Sequence, residues 1–542
     1  MRSSLGAAYA PEVHFGTHEQ LILLALLAAL AAMLIASPIV RIPYPILLVL
    51  AGLALSFVPG MPTIQLPPDV VLVAVLPPLL YYSAYSTSLR DLRQNARAIS
   101  LLAIGLVVAT TCAVAVVAHE FIDSFSWSSA FVLGAVLSPT DPLAATKITR
   151  RLGVPRRIVA VIEGESLVND GTALVLYKVA VTAVVAGTFS AWEAGLRFVW
   201  SVAGGVGIGL VVGYIVAEVR RRLDNPPLEV TIALMTGYFA FIPAAAAGAS
   251  GVLAVVTAGV YLGWRTPELT SVQTRLQGAG VWEILAFVIN ALLFALVGLQ
   301  LSHILHELNA TSNAKLIAYA LLVTGTVVAT RIAWIPINAY LPRWLFPRIR
   351  ERDPYPPFSW PLVISWAGMR GAVSLAAALA LPLTTDAGGP FDERNLIIFL
   401  TFCVILGTLV VQGLTLPALI RALRLEEDGL AEREEVKARI HAADAAIARL
   451  DELAGEEWVR DDTAQRLRGL YGFRRDRFAS RFDDGADGSI EERSQNYQRL
   501  RRELLEAERA AIVDLRRRRV INDDVMHRLE RDLDLEDARL DV

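Results

Sequence analysis

Charge is scarce through the first four-fifths of this chain. Charged residues make up 19% of its 542 positions and hydrophobic residues 54%, with much of the charge lying beyond Arg421. The length alone would allow several soluble domains, but that distribution excludes them. Soluble cores have little use for repeated apolar runs of membrane length, whereas a bilayer needs roughly 20 residues per crossing. Cysteine is scarcer still. Cys112 and Cys403 both lie inside apolar runs, which excludes a disulfide framework and suggests two small buried hydrophobes. Three catalytic patterns are missing: His-Glu-x-x-His, Gly-x-Ser-x-Gly and a phosphate-binding glycine loop. An intramembrane enzyme is therefore not expected, and neither is a cofactor. No basic region directly precedes the first apolar run, so Leu21–Ala36 reads as a membrane helix and not as a cleaved leader. The formal net charge of −3 identifies no partner, and no nucleic acid is expected. The informative feature is where the basic residues sit.

Apolar segments able to span a bilayer occur at 20–37, 42–59, 69–86, 98–118, 127–146, 159–187, 196–218, 228–246, 250–263, 281–301, 315–340, 360–382 and 395–422. The expected fold is an all-α polytopic membrane protein of about 13 transmembrane helices. Loop charge tests that count, because cytoplasmic loops accumulate Lys and Arg. Alternate connections carry Arg41; Arg90, Arg93 and Arg97; Lys147, Arg150, Arg151, Arg156 and Arg157; Arg220, Arg221 and Arg222; Arg265 and Arg275; and Arg343, Arg348, Arg350 and Arg352. The other connections contain Arg394 alone, with Lys315 at one edge. One span missed or invented would destroy the alternation. It places the N-terminus outside the cell membrane and the C-terminus in the cytoplasm.

Past Arg421 the character changes, which sets the expected domains at 1–423 in the membrane and 424–542 as a soluble, helical cytoplasmic tail. Ala431–Leu453 and Arg499–Arg516 show apolar residues at helical spacing, separated by a Gly- and Asp-containing break at Asp483–Ser489. A solvated appendage or dimerisation element is the plain reading of the tail, and a regulatory sensor the sharper one. No tandem repeat is visible. Two spans are nevertheless interrupted in a way that suggests inverted repeats with broken, crossing helices. The fifth is broken at Ser138-Pro139-Thr140-Asp141-Pro142, and the twelfth carries Gly368-Met369-Arg370-Gly371.

An ionisable group at bilayer depth costs at least about 2.5 kcal/mol and is a functional suspect by default. Here such groups concentrate: Asp141 in the fifth span; Glu163, Glu165, Asp170 and Lys178 in the sixth; Arg370 in the twelfth; then Glu283 and Arg331 elsewhere. Pro139 and Pro142 remove backbone donors and leave carbonyls free. Those carbonyls, the Thr140 hydroxyl and the Asp141 carboxylate are hard oxygen ligands for a small cation, although Asp141 would equally cap a helix at the membrane edge. On the sixth span Glu163, Ser166 and Asp170 share one face within about 60°, while Glu165 and Asn169 project from its neighbour. In a buried carboxylate, desolvation favours the protonated acid and a bound cation favours the ionised one, so proton and cation compete. That competition is the minimal physics of an antiporter. A structural buried ion pair is the alternative for Asp170 and the preferred reading for Glu165, with Arg370, flanked by small residues, as its expected partner.

Four segments in this order, Leu76-Pro77-Pro78-Leu79-Leu80, Ser138–Pro142, Glu163–Gly171 and Gly368–Ala372, resemble the signature set of the monovalent cation/proton antiporter-1 family, the Na⁺/H⁺ exchangers. The tail resembles that of the bacterial branch. The resemblance implies a thirteen-helix bundle, a homodimer, and a core domain that moves against a dimerisation domain. It implies Asp170 as the carboxylate that binds ion and proton. Thr140, Ser166, Asn169 and Asp141 would be ligands or water-bridged supports, Asp170, Ser166 and Thr140 contacting Na⁺, with Glu165 paired to Arg370 and Glu163 accessory. An Asn-Asp pair at 169–170 goes with electroneutral exchange. One departure stands out: Tyr81 and Tyr82 stand where many members carry an acidic residue, and Tyr82 offers either a hydroxyl or aromatic packing. The expected function is exchange of Na⁺ for H⁺ across the plasma membrane by alternating access. K⁺/H⁺ exchange and a cation channel are the alternatives.

Overall fold

The computed structural model describes residues 35, 43–57, 70–186, 191–300, 312–385, 389–425, 429–480, 489–538 and 540. All named elements among them are helices. That is what a bilayer dictates, because no water is present to satisfy an open backbone. The chain divides into two units, 1–427 and 428–542.

In the first unit the helices that frame the site are α1 (Tyr44–Ser56), α2 (Leu76–Ser86), α3 (Val107–Phe121), α4 (Trp127–Leu137), α5 (Leu143–Arg151), α6 (Arg156–Ala186) and α7 (Ala191–Arg221), with shorter helical segments between and after them. Next come α8 (Pro226–Ala246), α9 (Gly251–Leu269), α10 (Val272–Leu299), α11 (Asn313–Leu345), α12 (Ser359–Trp366), α13 (Ala372–Leu379) and α14 (Arg394–Gly407). Seven helices among the described residues are long and apolar enough to cross a membrane. Within the described residues each expected span after the first falls mainly on helix, the fifth and twelfth being interrupted at 138–142 and 367–371; the first, 20–37, falls outside the described residues apart from Ile35. Local chemistry sets many of the starts. The side chains of Ser126, Asn225, Ser250 and Ser271 each accept a hydrogen bond from a backbone amide of the first turn they precede.

Many large apolar side chains point outward, among them Leu210, Val211 and Tyr214 on α7, Ile284 and Val288 on α10, and Leu321 on α11. Helices apolar on both faces suit lipid on one side and protein on the other. Cys112, expected to be buried, is on this outward surface, and both cysteines are free thiols. Inside, two apolar clusters form. One gathers α1, α4, α5, α13 and α14; the other gathers α2, α7, α8 and α9. Helix α6 contributes Ile158 and Ile162 to the first and Leu167 to the second. It therefore runs along the seam.

The second unit contains α15 (Leu430–Leu453), α16 (Asp461–Ser480), α17 (Ser489–Arg517) and α18 (Asp523–Ala538). The sequence reading singled out helical stretches matching α15 and α17 and passed over the other two. Most of the expected break at 483–489 lies outside the described residues. Val436, Ala443, Ala464 and Phe478 are buried in α15 and α16, where Arg439 lies over the Phe478 ring at 4.9 Å. Helices α17 and α18 bury Leu505, Met526 and Leu533, and Arg509 bridges to Asp534 at 2.8 Å and Asp537 at 3.1 Å.

Candidate functional site

Two interruptions meet in the middle of the membrane unit. Helix α4 stops at Leu137 and the chain resumes as α5 at Leu143; helix α12 stops at Trp366 and resumes as α13 at Ala372. Pro139 and Pro142 account for the first break, since neither has an amide to give the ladder. The Asp141 carboxylate restarts the helix, accepting the Leu143 amide at 2.9 Å, so its capping role is real. The two unwound segments then cross: the Asp141 amide donates to the Met369 carbonyl at 2.8 Å. A Cβ on Gly371 would collide with the Asp141 carboxylate, and one on Gly368 with the Arg331 guanidinium. These glycines are required by close approach.

Helix α6 grips the first break at Thr140. Ser166 Oγ donates to the Thr140 carbonyl at 3.0 Å, and Asn169 Nδ2 donates to Thr140 Oγ1 at 2.7 Å. Thr140 Oγ1 in turn donates to Glu165 Oε1 at 3.1 Å. Most of this hydroxyl's hydrogen-bonding capacity is thus committed within the protein, which makes Thr140 first a support of the site. Asn169 Oδ1 is buried without a hydrogen-bond partner.

The expected Glu165–Arg370 pair does not form. Glu165 is held by both terminal nitrogens of Arg331 on α11, with Nη2 donating to Oε2 at 2.8 Å, and the two side chains are 2% and 1% exposed. Arg331 also donates to the Ile364 carbonyl (3.0 Å from Nη2) and the Ser365 carbonyl (3.2 Å from Nε). Arg370 donates instead to the Leu137 carbonyl at 3.0 Å and to the Gly368 carbonyl, and its amide donates to Thr408 Oγ1 at 3.1 Å. The physical reason lies in the breaks. The C-terminal end of a half-helix presents unpaired carbonyls and roughly half a negative charge. Arg331 sits at the end of α12, and Arg370 reaches the end of α4. Helical spacing placed Glu165 on a face but did not say which helix stands opposite.

Beside these contacts, Asp141 and Asp170 line a cavity of about 350 Å³. Thr140, Ser166, Glu163, Lys147, Asn290 and Ser374 share its walls. Apolar contributions come from both clusters, Leu80 and Leu167 from one and Leu293 and Phe294 from the other. Asp170 is 5% exposed. Glu163 is nearer water, 20% exposed and paired to Arg150 at 2.6 Å. Lys147 Nζ rests 3.9 Å from the centre of the Tyr44 ring. Tyr82 borders the cavity but stacks on Trp282, with centroids 5.4 Å apart, whereas Tyr81 is wholly buried outside the lining. Lys178 and Glu283 are exposed and lie outside the lining. Asn290 and Ser374 were not singled out from sequence. A lone amide in an apolar run was the signal for Asn290, and nothing marked Ser374. The acceptor groups of the lining are hard oxygens, the Asp141, Asp170 and Glu163 carboxylates among them, suited to a hydrated monovalent cation that exchanges with a proton.

The profile of the family described as "Sodium/hydrogen exchanger, transmembrane" matches residues 22–422. The chain is 39% identical over 525 residues to an uncharacterised Na⁺/H⁺ exchanger of Mycobacterium tuberculosis, covering 96% of each. It is 35% identical over 390 residues to a sodium, potassium, lithium and rubidium/H⁺ antiporter of Bacillus subtilis, covering 70% of this chain and 58% of that one. A Na⁺/H⁺ antiporter of Aphanothece halophytica is 33% identical, covering 78% and 77%. The solved sodium–proton antiporter MjNhaP1 of Methanocaldococcus jannaschii superposes with a TM-score of 0.57 over 75% of this chain and 99% of its own, at 19% identity.

Proposed function

The chain belongs to the sodium/hydrogen exchanger family, and from that premise we propose that Asp170 is the carboxylate at which Na⁺ and H⁺ alternate. It is a multi-pass membrane transporter that exchanges Na⁺ for H⁺, not an enzyme. The observation that carries the site assignment is the cavity at the crossing of the two breaks, where Asp170 and Asp141 stand together. Cation binding favours ionised Asp170 and displaces its proton; removal of the cation in a desolvated site favours the acid again. Ser166 and Asp141 complete the donor set, and Thr140 and Asn169 hold it in shape. The cavity's position between two separately packed clusters supports alternating access, one cluster shifting against the other along α6.

The finer assignments are part of the same proposal. Exchange is electroneutral, one Na⁺ replacing one H⁺ at Asp170, the acid of the Asn169–Asp170 pair. The loop-charge alternation orients the protein in the plasma membrane with its N-terminus outside. Transport belongs to 1–423, and 424–542 is a cytoplasmic appendage. The assembly is a homodimer. A broader cation range is a second reading, favoured by Tyr82: it brings an aromatic face to the cavity where an acid would tighten the preference for Na⁺.

The test is flux in proteoliposomes with a preset acid interior and an internal pH dye, adding Na⁺, Li⁺ and K⁺ in turn. Na⁺-driven alkalinisation that persists under voltage clamp and disappears in Asp170→Asn is the expected result. Full activity in Asp170→Asn would remove the carboxylate from the mechanism. A response to K⁺ alone would move the assignment to K⁺/H⁺ exchange.

A further inference from the structure

The end of the membrane unit that bears the arginine-rich connections holds a second, smaller cavity of about 90 Å³. Its walls are apolar, formed by Ala98, Leu102, Val161, Ile335 and Ile364, and Arg97, Arg157 and Arg343 are set among them. One carboxylate of the lining faces these three guanidinia. Asp353 Oδ1 accepts from Arg157 Nη2 at 2.8 Å, Oδ2 accepts from Arg343 Nη2, and Arg97 Nη1 stands 3.7 Å from Oδ2. Arg343 is further tied to the Asp353 carbonyl at 2.9 Å and to the Ala339 carbonyl, and Arg157 Nε donates to Asn95 Oδ1 at 3.0 Å. Arg97 is different: its Nη1 is buried and has no hydrogen-bond partner. The pocket therefore has two positive charges in excess and a donor already desolvated.

We infer that this cavity is a binding site for an anionic phospholipid. The phosphodiester seats on Arg97, Arg157 and Arg343, and the glycerol and first acyl carbons lie along the apolar wall. Guanidinium forks match phosphate oxygens in geometry and charge. A free phosphate needs hydrogen bonds on every side, which this wall cannot give, whereas an amphiphile needs one charged and one greasy surface. Trp360 lines the pocket and Trp334 donates to the Leu101 carbonyl beside it at 3.1 Å, aromatic residues of the kind that sit at headgroup depth. Basic pockets between membrane helices at the cytoplasmic side recognise anionic headgroups in this way.

Native mass spectrometry of the full-length protein, titrated in neutral detergent with phosphatidylglycerol, phosphatidylcholine or inorganic phosphate, tests the site. Phosphatidylglycerol is expected to bind about tenfold more tightly than phosphatidylcholine of the same acyl chains, and Arg97→Gln to lower that affinity about fivefold. Arg348→Gln, on the exposed surface nearby, should leave it unchanged. If Arg97→Gln fails to fold, Ala98→Leu narrows the wall with every charge kept and should weaken phosphatidylglycerol while leaving any binding of inorganic phosphate unchanged. Equal binding of the two lipids would overturn the proposal, as would binding indifferent to Arg97 and Ala98. Arg97-dependent binding of inorganic phosphate with no lipid preference would make the pocket a free-anion site instead.

Discussion

The break at 138–142 is made by prolines and carries an acid; the break at 367–371 is bordered by glycines and carries a base. Proline interrupts α4–α5 by withholding amides, and the unwound segment that results turns Asp141 and Thr140 towards the cavity and α6. Glycine lets α12–α13 be interrupted at closest quarters, with Arg331 passing Gly368 and Asp141 passing Gly371. In the proposed function the first break supplies ligands. The second brings the compensating charge that allows carbonyl-ended half-helices to remain buried. The two breaks carry groups of opposite charge, and they touch through the Asp141 amide and the Met369 carbonyl.

The largest effect is expected from removing the base. Arg370→Met leaves the Leu137 and Gly368 carbonyls without their charged donor, and each lost charge-assisted hydrogen bond costs about 1.5–3 kcal/mol. Thermal unfolding followed by tryptophan fluorescence should show a marked fall in Tm, and exchange should vanish. Arg370→Lys should rescue little, since a single ammonium lacks the fork that reaches both ends. Preserved stability in either variant would mean that the second break needs no capping charge.

Crowding the crossing comes next. Gly371→Ala drives a methyl into the Asp141 carboxylate, a strain of about 1–3 kcal/mol in a packed site. It should raise the KM for Na⁺ roughly tenfold in vesicle flux and lower stability less than Arg370→Met does. An unchanged KM would separate Asp141 from ion binding. Thr140→Val should fall in the same range, because it leaves the Asn169 amide and a Glu165 oxygen each short of a partner, at about 1–3 kcal/mol per buried group. Thr140→Ser keeps the hydroxyl and should stay near wild type. The smallest effect belongs to the rim: Arg150→Gln breaks an exposed pair worth about 0–1 kcal/mol and should change flux by less than about fivefold. For the site itself, proton competition requires the KM for Na⁺ to rise as pH falls, by up to about tenfold per pH unit once the acid form dominates. A pH-independent KM in the same vesicles would rule out a shared carboxylate.

Much of this arrangement was legible in the sequence. Apolar run length marks the helices in the sequence, and the paired Pro and Gly interruptions mark the crossing. The 3.6-residue period put Glu163, Ser166 and Asp170 on one face, and all three line the cavity. What was not legible is who stands opposite. Arg331 was visible as an intramembrane cation, yet Arg370 was the nearer guess for Glu165, because one chain's periodicity fixes direction and not neighbourhood. The same limit hid Ser374 and Asn290, which join the site only through packing. Glu165, on the neighbouring face of the sixth span, also receives the Thr140 hydroxyl of the broken one.

The hydrogen bonds through Thr140 have a direction. Arg331 can only donate, so Glu165 is held as an acceptor; Thr140 must then give it a proton, and Asn169 must give one to Thr140. A fixed cation on α11 thereby dictates how an amide on α6 is turned. The oxygen of that amide is left facing away from the relay, unmatched, on the residue next to Asp170. It behaves like the open end of a sentence whose word order was set elsewhere: only a proton-bearing group or a cation can complete it.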